Sequence, residues 1–135
     1  MTLNAGMSGA GFDTRRRALG LSIAETAAVC GGVNERTVNR WINDHSPVPE
    51  DAFSALDALE RTLERAVDQL VKIATDQVMA GPIIVRRYRT QDDLSVSPDD
   101  IGIPLGAHAM MSAWLDDALA AQGVDTEIVW ADVVD

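Results

Sequence analysis

Two helix-start signals, Ser22 and Asn34, flank the diglycine Gly31-Gly32, and this arrangement constrains the chain more than any other feature. Ser22 and Glu25 form the pattern S-x-x-E, in which hydroxyl and carboxylate each satisfy a backbone N–H left unpaired by the first helical turn. Asn34 supplies the same kind of cap for a second helix. Glycine enters the left-handed backbone region without a Cβ clash, so Gly31-Gly32 predicts an abrupt turn between the two. Helices are therefore expected over about 23–30 and 35–43. The first is expected to bury Ala24, Ala27 and Ala28, small residues that let the second helix cross closely. On the second, Val38 and Trp41 lie three apart, and with Val33 they form the expected buried stripe. Glu35, Arg36, Asn39, Arg40 and Asn43 then fall on the opposite face.

Around this centre the chain divides by its punctuation. Residues 1–12, MTLNAGMSGAGF, are rich in Gly, Ala and Ser without periodicity and read as a flexible arm. The segment SPVP, 46–49, excludes a helix interior and suits a helix start. A long helix is expected over 50–79, with Glu50 and Asp51 favouring its N-terminal dipole. Leu56, Leu59, Leu63, Ala66, Leu70 and Ile73 follow a heptad-type spacing along it, widened by Phe53, Val67, Val71 and Val78. Such a helix would run about 45 Å if unbroken, and so long a stripe requires a partner, within the chain or in a second copy. Gly81-Pro82 ends it, and IIVRRYR, 83–89, reads as a strand. A polar loop follows, then an amphipathic helix over 104–122 stopped at Gly123, then a strand over 126–132. The expected fold is α+β: a five-helix-type helical head over 13–79, and a small β-α-β dimerisation part over 80–135. Leu63, Leu70, Met110, Met111 and Trp114 are the expected dimer contacts.

Charge separates the same two regions. The net charge is −10, which argues against a nucleic-acid partner if taken as a sum. Up to Asn43, however, five arginines stand against three acids, a net of +2; from Asp44 onward six cations stand against eighteen acids, a net of −12. The acid belongs to the body and not to the head, and an acidic body facing away would orient the head on DNA. A helix enters the major groove, where Arg pairs with guanine and Asn with adenine. Arg36, Asn39 and Arg40 carry those chemistries, Glu35 can accept from cytosine, and Asn34 joins them at the helix start. Arg15, Arg16 and Arg17, with Ser22 and Asn43, are the expected phosphate contacts.

Other classes find little support. No apolar run approaches the length that spans a bilayer, and the N-terminus has neither the basic start nor the apolar stretch of a signal peptide. One cysteine, Cys30, cannot form an internal disulfide, so a cytoplasmic location is expected. His45 and His108 lie far apart, and no metal-ligand spacing, phosphate loop or nucleophile elbow occurs. The pairs Asp92-Asp93, Asp99-Asp100 and Asp116-Asp117 read as solvated acids. No enzyme activity and no cofactor is expected.

The pattern R-x-x-L-G-L-S-x-x-E-x-A from Arg16, followed after the turn by V-x-x-R-T-V-x-R-W from Val33, resembles the lambda repressor/Cro-like (XRE-type) helix-turn-helix family over Arg16 to about Leu59. The turn is one residue longer than usual, and V-P-E-D follows the tryptophan; both features resemble anti-CRISPR-associated autorepressors and YdiL-like regulators. Ile23 stands where the family often has Gln, Thr26 where Leu is usual, and Asp44 near where Gly is common. The resemblance implies a homodimer that binds an inverted repeat in double-stranded DNA at a promoter, often its own, and represses it. An alternative reading is an antitoxin-type interaction module, in which a DNA-binding head joins an acidic segment that neutralises a partner protein.

Overall fold

The structure, a computed structural model, describes residues 7–77 and 81–133. Among these it is a mixed α+β chain of six helices and one two-stranded parallel sheet. The chain forms two compact units, Met1–Arg61 and Thr62–Asp135. The division falls inside the long helix α4, Glu50–Thr75, whereas the sequence suggested 79/80.

In the first unit, α1 spans Gly9–Ala18, so the expected arm already belongs to a helix at Gly9. Residues 1–6 of that arm lie outside the described residues. Ser8 caps α1 by accepting from the Gly11 N–H at 3.0 Å. Gly9 is there for closeness and not for flexibility: a Cβ at this position would lie 2.3 Å from the Ile42 carbonyl oxygen. Its N–H donates to Asp44 Oδ1 at 2.9 Å. Asp44 itself sits at φ 59°, in the left-handed region where glycine is favoured. Asp44 at this position thus carries a contact that glycine would lack. One turn into α1, fully buried Phe12 meets Trp41 edge to face, with centroids 5.7 Å apart.

Helices α2, Ile23–Val29, and α3, Glu35–Ile42, start at Ser22 and Asn34. Gly31 and Gly32 between them take φ of 92° and 76°. On α2, Ala27 is buried, but Ala24 and Ala28 are exposed, contrary to the expected alanine face. Thr26 turns inward instead: its hydroxyl donates to the Ser22 carbonyl at 2.7 Å, which satisfies its polarity and leaves the methyl to pack. With α4, the helices beginning before Arg61 number four among the described residues, not five.

Along α4 the buried residues are Ala52, Leu56, Leu59, Leu63, Val67 and Ala74. The expected heptad seam holds as far as Leu63, and then the buried face passes through Val67, one of the residues expected to widen the seam, to Ala74. Leu70 and Ile73 are left 39% and 50% exposed. A straight helix drifts against a seven-residue repeat by a fraction of a turn per heptad, so a seam written every 3.5 residues rotates off the buried side.

In the second unit, β1, Ile83–Arg87, pairs in parallel with β2, Thr126–Trp130, in a register from Ile83 opposite Thr126 to Arg87 opposite Trp130. A parallel pair requires a long crossover, and α6, Leu105–Ala121, supplies it and contacts both strands. Its inward residues are Ala107, His108, Met111, Ser112, Leu115 and Leu119. The stretch expected as a polar loop holds a short helix, α5, Gln91–Ser95, capped by Thr90 and anchored by fully buried Leu94. Among the described residues no helix is long and apolar enough to cross a membrane.

Candidate nucleic-acid interface

Helix α3 has the stripe that its sequence predicts. Val38 is fully buried and Trp41 nearly so, while Glu35, Arg36, Asn39 and Arg40 are exposed. The buried pair fixes the roll of the helix, and the roll decides which side chains reach solvent. Arg36 and Glu35 make no ion pair among the described residues. Arg40 Nε donates to Ser46 Oγ at a long 3.3 Å, a contact that leaves the guanidinium available.

The ends of α3 are occupied by their own caps. Asn34 Oδ1 accepts from the Thr37 N–H at 2.8 Å and from the Thr37 hydroxyl at 2.9 Å, so this oxygen holds the helix start. Asn43 Nδ2 donates to the Asn39 carbonyl at 2.8 Å at the other end. Ser22 is engaged in the same way: Oγ accepts from the Glu25 N–H at 3.0 Å, and Glu25 Oε1 accepts from the Ser22 N–H at 2.9 Å. Asn34, Asn43 and Ser22 are therefore structural in their first role. The two N-caps among them, Asn34 and Ser22, each stabilise their helix by about 1 kcal/mol.

The three consecutive arginines have three different environments. Arg16 is buried; Nη1 donates to the Leu21 carbonyl at 2.9 Å and Nε to Asp13 Oδ1 at 2.8 Å. It ties the end of α1 to the start of α2, so it is corrected from a phosphate contact to an internal brace. Arg15, with a side chain 31% exposed, pairs with Asp57 and Glu60 on α4. Only Arg17 remains largely exposed, at 69% of its side chain, while Nε donates to Asp13 Oδ2 at 2.9 Å. Burial pushes the Asp13 carboxyl up, but the hydrogen bonds and charges of Arg17 and Arg16 outweigh it and hold the group below its ordinary value of 3.8. The sequence offers a partial signal for this: Asp13 stands three and four residues before the two arginines it binds. Asp57 and Glu60 carry no such local signal.

Cys30 lies inside the first unit with Sγ 3.6 Å from the Ala52 carbonyl oxygen, and burial pushes its thiol up to about 11, so it is unreactive near neutrality.

The expected dimer residues separate as well. Leu63 is fully buried and Met111 nearly so, which removes both from a surface role; their burial follows from the inward faces of α4 and α6. Met110 and Trp114 are half-buried, and Leu70 is exposed. Ile73, expected on the seam of α4, is exposed too, and Ile84, Val96, Ile101 and Ile128 are exposed apolar residues that the sequence pattern did not single out. No protein-family model matches the sequence, and no curated protein matches it.

Proposed function

We propose that the chain is a sequence-specific DNA-binding regulator whose α2–turn–α3 segment works as a helix-turn-helix, with α3 in the major groove. The observation that carries this reading is the two-sidedness of α3: Val38 and Trp41 inward, and Arg36, Asn39 and Arg40 outward together. Arg36, Asn39 and Arg40 read base edges, with Glu35 orienting or accepting. Arg17 is the phosphate contact retained from the expected arginine run. The chain acts as a homodimer through its acidic second unit, which presents the two recognition helices one DNA turn apart, about 34 Å. A repressor at a promoter containing an inverted repeat is the regulatory role that follows from the family resemblance. The exposed apolar residues of the second unit also fit an antitoxin-type role, in which a partner protein covers them.

Selection of binding sites from random duplexes with the full chain tests this directly. A two-fold repeat should be enriched, and Arg40→Ala should cost about 1–3 kcal/mol while relaxing the preference at one base position. Enrichment of nothing above background overturns the reading. Light scattering tests the dimer: Leu70→Glu should shift the chain toward a monomer, and a wild-type monomer at micromolar concentration removes the two-fold model.

A further inference from the structure

The second unit is strongly acidic, with five cations against thirteen acids, yet three of those cations, Arg86, Arg87 and Arg89, crowd the end of one strand. Two of them share one aromatic ring. The guanidinium of Arg87 lies 4.8 Å from the centre of the Trp130 ring, and that of Arg89 lies 4.3 Å from it. The ring face attracts each cation, but two like charges on one indole repel each other unless anions offset them. Arg89 has such an anion, Asp132, at 3.0 Å. Arg87 has no carboxylate partner among the described residues.

Next to this unbalanced charge lies a cavity of about 260 Å³, whose walls include Arg87, Arg89, Asp93, Val96 and Asp132. Its position follows the topology. Arg87 is the last residue of β1, and Ala131 and Asp132 directly follow β2, so the cavity opens past the carboxyl ends of both parallel strands. That is where open sheets with parallel strands bind ligands. The wall is not of one sign: Asp93 adds a carboxylate whose side chain has no partner among the described residues. Val96 adds an apolar side chain left 86% exposed.

We infer that this cavity is a binding site for a small zwitterion of the α-amino acid class. Its carboxylate would take the fork of Arg87, its ammonium Asp93, and its apolar side chain the Val96 wall. The volume lies just below the range of pockets for drug-sized ligands, about 300–1,000 Å³, which selects a small molecule. A polyanion is disfavoured by the acidic surroundings, whereas a net-neutral ligand is not repelled. The proposal is independent of the DNA-binding reading, and its test contains no DNA.

The test is a titration of the isotopically labelled full chain with L-valine, with isovalerate as the same molecule without its amine, and with isobutylamine as the same molecule without its carboxylate. The Trp130 indole N–H and the Arg87 and Arg89 Nε–H resonances report binding by NMR. Valine should give a saturable shift of these signals, and both truncated probes should bind more weakly. Arg87→Ala should weaken valine binding about tenfold or more, and Arg87→Lys should recover only part of it, because an ammonium lacks the two-pronged geometry. Asp93→Asn, at an exposed position, should reduce valine to the level of isovalerate. Absence of a saturable shift with valine, or an unchanged affinity in Arg87→Ala, overturns the site. Equal binding of isovalerate and valine overturns the zwitterion assignment.

Discussion

Up to Arg61, every large apolar side chain among the described residues is buried or half-buried, whereas from Thr62 onward Leu70, Ile73, Ile84, Val96, Ile101 and Ile128 stand exposed. The charge differs in the same sense: the first unit has six cations against eight acids, the second five against thirteen. The first unit therefore closes its own core and turns a polar helix face outward. In the second, a two-stranded parallel sheet has more apolar surface than its own helices cover, although parallel sheets are usually covered on both faces. Under the proposed function, recognition and association make opposite demands on a surface: the face that reads a polar ligand is finished by the chain itself, while a face that assembles is finished only by its partner.

Core truncation in each unit should break this comparison most strongly. Phe12→Ala removes a fully buried ring and its edge contact with Trp41, and should cost about 3–5 kcal/mol. Leu119→Ala removes a fully buried side chain from α6 and should cost about 2–5 kcal/mol. Native-state hydrogen exchange reads each unit separately. Phe12→Ala should accelerate exchange in α1 and α3, and Leu119→Ala in α6 and the strands. Equal acceleration everywhere in both variants would show that the two units unfold as one.

A smaller effect separates close approach from flexibility at the first helix. Gly9→Ala places a methyl group too close to the Ile42 carbonyl oxygen, so the helix or the carbonyl must shift, and backbone does not yield as cheaply as a side-chain tip does. Crowding of this kind costs about 1–3 kcal/mol. If residues 8–12 were a loose arm, alanine would instead be neutral or would favour helix. Thermal unfolding of Gly9→Ala beside Ala10→Gly distinguishes the two, since Ala10 is exposed on the same helix and reports propensity alone.

The sequence was most readable where a local pair of residues decides the geometry. Ser22 with Glu25, the cap at Asn34, and the diglycine all act within a few residues, and each is visible in the chain. The short helix at Gln91–Ser95 was missed because its single buried residue, Leu94, leaves no period to detect; Thr90, which accepts from the Asp93 N–H, was the available signal. The environments of Arg15 and Gly9 were hidden for a different reason. Their partners, Asp57 and Asp44, lie 42 and 35 positions away, and no local pattern encodes a contact at that separation. The candidate base-reading face was thus legible, because helix periodicity sets it. Which arginines remain available for phosphate was not legible, because tertiary ion pairs set that.

Acid should sharpen the contrast between the units with the gentlest perturbation. His108 is buried in the second unit, its ring 5.7 Å from that of Tyr88, and burial is the main cause that pushes its pKa below the ordinary 6.5. Arg87 adds to the lowering, and Asp99 and Asp100 oppose it without reversing it. A group whose folded pKa is lowered in this way binds its proton more readily in the unfolded chain. Stability of the second unit should therefore begin to fall as pH drops through about 6.5, and the loss should level off below the folded value. Asp13 in the first unit is also lowered, but from 3.8, and as a carboxylate it stabilises the fold above that value. Its contribution is lost only as pH falls through the acid range below about 4. Between these limits, lowering the pH should increase hydrogen exchange in α6 and leave α1 and α3 protected, once intrinsic rates are corrected for. His108→Gln should flatten the dependence in the second unit, and an unchanged profile in that variant would assign the sensitivity to another group.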